Sequence, residues 1–215
     1  MEGFNYVRKS LAGRTGNKVD LGQAGSFFEI KTDNSDPEEE RIDGALFRSI
    51  HCMKTVSNYR IFTALKSDEA PSVLFIIWRD FPYLRHIEEG GDLMLQEFKK
   101  DAALKYLLVD NTFVKSGWMK DNVIEYLNHG WYPGLIEVGV EKFVHLQAKS
   151  ALGANSFEEF EKDVNKAMGD LAKTMRKEPF KYYPVKTSEI NDKGEQVDLN
   201  LRKLSLKAGL EILNK

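Results

Sequence analysis

The sequence has few of the features that would narrow its function. Its single cysteine, Cys52, excludes an internal disulfide and a metal site made of several thiolates, and a free thiol favours a reducing, cytoplasmic location. No apolar run approaches the roughly 20 residues of a membrane-spanning helix. The N-terminus, MEGFNYVRKSLAGRTG, lacks the apolar centre of a secretory signal. We therefore expect a soluble, cytoplasmic protein without a membrane span.

Charge of either sign is not in excess. The chain has 31 basic and 33 acidic residues, so we expect no general attraction to nucleic acid. It also lacks a Gly-x-Ser-x-Gly nucleophile motif, a complete phosphate-binding loop and histidines at metal-ligand spacing. The sequence thus identifies no catalytic residue, metal site or cofactor. With 42% hydrophobic residues in 215, it can form one sizeable core.

The two ends of the chain differ in pattern from its middle. Residues 1–45 include the acidic tract DNSDPEEERIDG and show no helical period, so we predict a mostly irregular N-terminal extension. Only GSFFEI, at 25–30, resembles a strand there. Residues 46–178 are predicted to form an α/β domain. Residues 179–215 are expected to complete or extend it, with a strand near 180–187 and a final helix from about Leu201.

Strand and helix patterns alternate through the middle of the chain. Two β-type runs flank a polar turn, as in a hairpin, and Gly90-Gly91 is a plausible cap before the first amphipathic helix. Pro133 is expected to kink or restart the second helix, and Gly139 to end it in a left-handed conformation. The predicted elements are a hairpin at 58–78, helix 91–105, strand 106–110, a helix from near Trp118, strand 141–148 and helix 155–175. This alternation predicts a mixed, largely parallel sheet flanked by helices, with right-handed crossovers.

Asp110 and Asn111 end the apolar run YLLVD, where ligands bind in open α/β sheets. A catalytic or ligand-binding role is one hypothesis for this acid. The other, which turn chemistry favours, is that its side chain caps the loop that follows the strand.

Several aromatic residues follow strands or stand beside helix breaks. They could line an apolar pocket or a partner-facing patch, although packing in the core is the commoner role of such residues. The candidates are Trp78, Trp118, Trp131 and Tyr132. His51 and Cys52 are adjacent on a strand pattern and are expected to point to opposite faces, which argues against a catalytic dyad. His145 is predicted to be a core histidine.

Three segments resemble the STAS-type domains, which are similar to anti-sigma-factor antagonists and occur as small stand-alone proteins in Bacteroidetes-type bacteria. They are YLLVDNTFVKSGW, WYPGLIEVGVEKFVHL and SALGANSFEEFEK. The similarity extends from about Asn58 to Met175 and implies a STAS-like fold and a regulatory or ligand-sensing role. The related CRAL-TRIO type of lipid carrier implies an apolar ligand as one alternative.

In signalling members of that family, a serine at the start of the helix after this strand is phosphorylated. The equivalent position here falls near Trp118 or Met119, and the nearest hydroxyl is that of Ser116. The sequence therefore departs from the family at the switch serine.

Our leading hypothesis is a non-enzymatic regulatory module that binds a protein partner or a small apolar ligand. Its expected binding residues are Trp78, Asp110, Asn111, Trp118, Trp131 and Tyr132. One alternative is a small hydrolase or transferase that uses Asp110 with His129 or His145. Another is a structural subunit whose polar ends become ordered on a neighbouring protein.

Overall fold

A single mixed sheet organises the chain. The computed structural model describes residues 37–55, 59–115, 121–147, 157–186 and 199–215. Within them, seven strands follow one another across the sheet in chain order. The strands are β1 (Glu39–Ile42), β2 (Ala45–Lys54), β3 (Arg60–Lys66), β4 (Val73–Asp80), β5 (Tyr106–Val114), β6 (Lys142–Gln147) and β7 (Lys181–Lys186). β1 to β4 pair antiparallel and β4 to β7 pair parallel. The predicted mixed α/β sheet with helices is confirmed.

The helices occupy both faces of this sheet. They are α1 (Leu84–Lys100), α2 (Asp121–Tyr126), α3 (Tyr132–Glu137), α4 (Phe157–Met175) and α5 (Leu199–Asn214), with a π-helical turn, Leu127–Trp131, between α2 and α3. Right-handed crossovers between sequential parallel strands place their helices on the same side. Accordingly, α1 to α4 share one apolar core with one face, hereafter the crossover face. Helix α5 follows β7 and covers the opposite face, hereafter the α5 face.

The sheet begins earlier than the sequence patterns predicted. Residues 39–45, assigned to the irregular extension, form β1 and start β2, while GSFFEI lies outside the described residues. A two-residue turn joins the strands, with φ of 49° at Asp43 and 94° at Gly44. This is the type I′ geometry for which Asp-Gly is a strong signal. The sequence patterns did not reveal this hairpin, because β1 (EERI) has almost no alternation of apolar and polar residues. Its one apolar residue, Ile42, is buried only when β1 pairs with β2.

The first crossover helix also begins earlier than predicted. It starts at Leu84, so Gly90 and Gly91 lie within the helix and do not cap it. Their role is steric. A Cβ at Gly90 would lie 2.6 Å from Cη2 of Trp78 on β4, and one at Gly91 would overlap the Tyr126 hydroxyl of α2. The glycine pair therefore lets α1 approach both the sheet and its neighbouring helix closely.

The later elements match the sequence patterns closely. Pro133 stands in the first turn of α3, after the π-helical interruption, and Gly139 ends that helix with φ of 81°. The predicted strand at 141–148 is β6, and the predicted helix at 155–175 is α4. The C-terminal strand and helix are also confirmed, as β7 and α5.

Replacing Gly90 with alanine should destabilise the protein. Alanine normally stabilises a helix interior relative to glycine, but here the new methyl group collides with Trp78, and overpacking costs about 1–3 kcal/mol. The matched control is Gly169→Ala in α4, where a Cβ meets nothing within 4 Å and about 0.5–1 kcal/mol of stabilisation is expected. Urea unfolding measures both free energies, and equal stabilisation of the two variants would contradict the close approach of α1 to β4.

Candidate functional site

Asp110 is completely buried on the α5 face, in the middle of β5. The prediction that the strand ends at Asp110 is wrong, because β5 continues through the polar residues Asn111 and Thr112 to Val114. Its Oδ2 accepts a hydrogen bond of 2.6 Å from Nε of Arg202 in the first turn of α5. Its Oδ1 accepts the backbone N–H and the hydroxyl of Thr112 at 2.9 and 2.6 Å. The bond from the Thr112 N–H is a local turn of the kind Asp favours. This turn lies at an irregularity in the β4–β5 pairing, where the register shifts between Ile77 and Arg79 of β4.

Arg202 is the other half of this contact and is only 4% exposed. Its Nη1 donates to Glu40 of β1 at 3.0 Å, and its guanidinium lies over the Phe113 ring at 4.8 Å. Burial lowers the pKa of Arg202, but the carboxylates of Asp110 and Glu40 outweigh burial and raise it above its usual value. Because both acids belong to the sheet, the guanidinium fastens α5 to β5 and β1. Its Nη2 has no hydrogen-bond partner among the described residues.

A second group of charges extends this contact across the sheet. Glu38 accepts hydrogen bonds from Arg79 of β4 and from Thr63 of β3, and Arg60 lies 3.5 Å away. Burial lowers the pKa of Arg79, although the nearby Glu38 carboxylate opposes this effect. We call the whole set the Asp110 network, and its members are Glu38, Glu40, Arg60, Thr63, Arg79, Asp110, Thr112 and Arg202. Three carboxylates balance three guanidinium groups, which is how buried charges are normally accommodated.

Asn111 points the other way, to the crossover face, and belongs to a separate polar cluster. Its amide lies 2.7 Å from Nε2 of His145, while the Gln147 amide and the Tyr182 hydroxyl lie 3.0 and 3.2 Å from Nδ1. Burial lowers the pKa of His145 to about 3, so the imidazole is neutral at physiological pH. A neutral ring has a single N–H, so one ring nitrogen donates and the other accepts, and the flanking amides and the Tyr182 hydroxyl supply both kinds of partner. This is the predicted core histidine, stacked on Phe143 at 5.4 Å.

These positions bear on the enzymatic alternative. His145 pairs with Val109 across the β5–β6 ladder, so its side chain and that of Asp110 lie on opposite faces of the sheet. His129 is exposed on the π-helical turn on the crossover side. Neither histidine is therefore placed to exchange a proton with Asp110.

The aromatic candidates lie in the core of the crossover face. Trp78 is fully buried and packs against Phe62 at 4.8 Å. Trp131 is 5% exposed and meets Phe143 edge-on, and Tyr132 is 3% exposed. Trp118 lies outside the described residues. The three described aromatics thus pack against protein side chains.

A buried ion cluster on α1 had no sequence signal, because its members come from distant elements. Glu97 accepts hydrogen bonds from Nε2 of His51 and Nζ of Lys100, both at 2.9 Å, and its other oxygen lies 3.1 Å from Nζ of Lys66. Burial opposes ionisation of Glu97, but these donors outweigh it and bring the pKa of Glu97 down to about 2.

Cys52, next to His51, pairs with Thr63 on the opposite face, and burial raises the pKa of its thiol. The two side chains form no dyad, as the strand pattern predicted.

An open groove of about 420 Å³ lies between β1 and α5. Its walls are formed by Arg41, Ile42, Asp43, Asn200, Lys203, Leu204, Leu206 and Lys207. Three of these residues are cationic and one is acidic, and Lys207 is 3.0 Å from Asp43. Leu204 is 64% exposed at its rim. Sequence reasoning missed this groove because it exists only where the two ends of the described chain come together.

Comparisons with known proteins assign no function to these sites. No protein-family model, no curated protein and no solved structure matches the chain. In the part of the chain that the structure describes, His, Cys, Asp and Glu side chains form no cluster suited to a metal ion. None of the helices described there combines the length and apolar character needed to cross a membrane.

Replacing Asp110 with asparagine should be strongly destabilising. The substitution leaves the buried Arg202 charge without one of its carboxylates, and breaking a buried pair typically costs about 3–5 kcal/mol. Asp170→Asn is the control, because Asp170 faces Lys173 at 3.9 Å on the surface of α4, where such pairs are worth about 0–1 kcal/mol. Chemical denaturation measures both variants. A loss below about 1 kcal/mol for Asp110→Asn would contradict the structural role of this acid.

Glu97 should make the protein sensitive to acid. Its pKa is about 2 in the folded protein and has a reference value of 4.5, so its ionised form contributes stability above pH 4.5 that is lost as the pH falls towards 2. The contribution is up to about 3 kcal/mol. Glu97→Gln should lower the free energy of unfolding at pH 7 and flatten its fall between these pH values. Parallel acid limbs for the two proteins would refute the assignment.

Proposed function

We propose that this protein is a non-enzymatic binding module that takes up a protein partner in the groove between β1 and α5. The observation that carries the proposal is the groove itself, an open concavity where an exposed leucine stands near three cationic residues, of which only Lys207 has a carboxylate partner among the described residues. Leu201 and Leu204 on α5 are 37% and 64% exposed. Exposed apolar side chains rimmed by charge are typical of a protein interface.

A protein partner fits this geometry better than a small apolar ligand held between the sheet and its helices. Such a ligand would have to displace Trp78, Trp131 or Tyr132, which already pack in the crossover core. Removing a large core side chain from its packing costs several kcal/mol. The solvent-facing groove requires no such displacement.

The similarity of the sequence to STAS-type domains implies a regulatory binding module, but it extends only from about Asn58 to Met175 and does not include β1 and α5, which form the groove. The enzymatic alternative gains no support from the geometry. Asp110 is engaged by Arg202 and Thr112 and has no exposed surface. In the proposed function, this acid maintains the groove by holding α5 in place.

The proposal is tested by selecting ligands from a library of random peptides displayed on phage, with the full chain as bait. Selected peptides are then measured in solution by fluorescence anisotropy. The double variant Lys203→Glu/Lys207→Glu should bind them about tenfold more weakly, since it reverses two charges of the groove.

The matched control is Lys162→Glu/Lys166→Glu, which reverses two exposed lysines at the same spacing on α4. This variant should bind as the unmodified protein does, and circular dichroism checks that both variants are folded. The proposal fails if no peptide is selected, or if the selected peptides bind both double variants equally well.

A further inference from the structure

We propose that the free edge of β1 pairs antiparallel with the same edge of a second copy of this chain, so that the two sheets become one. This inference goes beyond the proposed function, because it concerns the backbone edge of β1 and the side chains on its crossover face, and not the groove. An edge strand with unpaired backbone groups is a template for such pairing, and a two-fold axis closes the assembly as a dimer.

The backbone of β1 has the free groups that this pairing requires. Among the described strands, β1 is the last at its edge of the sheet. The two-residue turn makes Ile42 and Ala45 a hydrogen-bonded pair of the β1–β2 ladder. Hydrogen-bonded and non-hydrogen-bonded pairs alternate along such a ladder. The N–H and C=O groups of Glu39 and Arg41 therefore point away from β2, along the free edge.

The side chains at these two positions are charged and lie on the crossover face. Glu39 stands opposite Arg48 of β2, which stands opposite Lys66, and Lys66 contacts α1 on that face. Arg41 shares the face with Glu39 because side chains alternate along a strand, and both residues are exposed. The Arg41 guanidinium donates to the Gly44 carbonyl at 3.2 Å. It has no carboxylate partner in the part of the chain that the structure describes.

One register satisfies both the backbone and these charges. Its two-fold axis passes between the Glu40 residues of the two copies, so that Glu39 lies opposite Arg41 of the second copy and Arg41 lies opposite its Glu39. Each of these pairs exchanges both backbone hydrogen bonds and brings a carboxylate next to a guanidinium. A shift by two residues would place Arg41 against Arg41 or Glu39 against Glu39, and like charges directly opposite each other are destabilising. A shift by one residue would oppose side chains of different faces.

The α5 face is compatible with the same register. The two Glu40 side chains face each other there, but each accepts a hydrogen bond of 3.0 Å from Arg202 of its own copy, which offsets their repulsion. The two-fold axis is perpendicular to the sheet at this point and keeps both α5 helices on one side. Both grooves therefore open on the same side of the joined sheet.

The opposite edge of the sheet is less suited to pairing. Among the described strands, β7 pairs with β6 alone, and its Pro184 has no N–H to donate to a further strand. Pairing of β1 with β7 of another copy would be head-to-tail and would extend into a filament. Pairing of two β1 edges closes on itself, so a dimer is the expected assembly.

Charge-reversed variants of the full chain test this inference by analytical ultracentrifugation. Glu39→Arg leaves two cations on the edge and Arg41→Glu leaves two acids, so each variant alone should dimerise at least about tenfold more weakly than the unmodified protein. An equimolar mixture of the two variants should recover the association, because every pair across the new ladder again has opposite charges. The control is Lys173→Glu, an exposed reversal on α4, which should dimerise as the unmodified protein does. Circular dichroism checks that all variants are folded.

Hydrogen exchange in the unmodified protein locates the contact independently of any variant. The amides of Glu39 and Arg41 should exchange slowly where the dimer is populated and fast after dilution. The inference is overturned if the protein stays monomeric up to about 1 mM, or if the mixed variants associate no better than each alone. Slow exchange of these amides in the dilute monomer would also overturn it, because another part of the chain would then already pair with the edge. The peptide measurements on the groove stand apart from all these results.

Discussion

The ion pair between Arg202 and Asp110 determines how the α5 face is built. It joins residues 92 positions apart, and its guanidinium also reaches Glu40 on the edge strand. Because both charges are buried, the pair is satisfied only when α5 lies at one position along β5. That position brings Lys203 and Leu204 next to β1 and creates the groove. The interaction therefore links the interior of the sheet to the surface that we propose binds a partner.

Two adjacent residues in the middle of β5 serve opposite sides of the molecule. Asp110 enters the charged network under α5, while Asn111 joins the neutral cluster around His145 below the crossover helices. The alternation of side chains along a strand separates the acid from the imidazole. An aspartate, an asparagine and a histidine on two neighbouring parallel strands thus belong to two structural clusters and form no shared catalytic centre.

Local patterns in the sequence predicted most of the elements, and the failures have physical reasons. Pro133 and Gly139 behave as predicted, because their effects on the backbone are local. YLLVD lies in a buried strand as predicted, but the strand continues to Val114 and does not end at Asp110. Gly90 and Gly91 were misread as a cap because their role depends on Trp78 and Tyr126, which a local reading does not see. Turn chemistry favoured a cap of the following loop for Asp110. The side chain does bond the nearby Thr112, but inside β5, and its bond to Arg202 could not be foreseen across such a separation. The groove was missed for the same reason.

The most direct test of this account is the NMR signal of the Arg202 side-chain Nε–H in the full chain. An N–H buried against a carboxylate should give a resolved, slowly exchanging signal with a nuclear Overhauser contact to Thr112. The signal should persist for as long as the protein remains folded. A signal that exchanges as fast as that of a solvated arginine would show that α5 is not fastened to Asp110, and would contradict both the role of this acid and the origin of the groove.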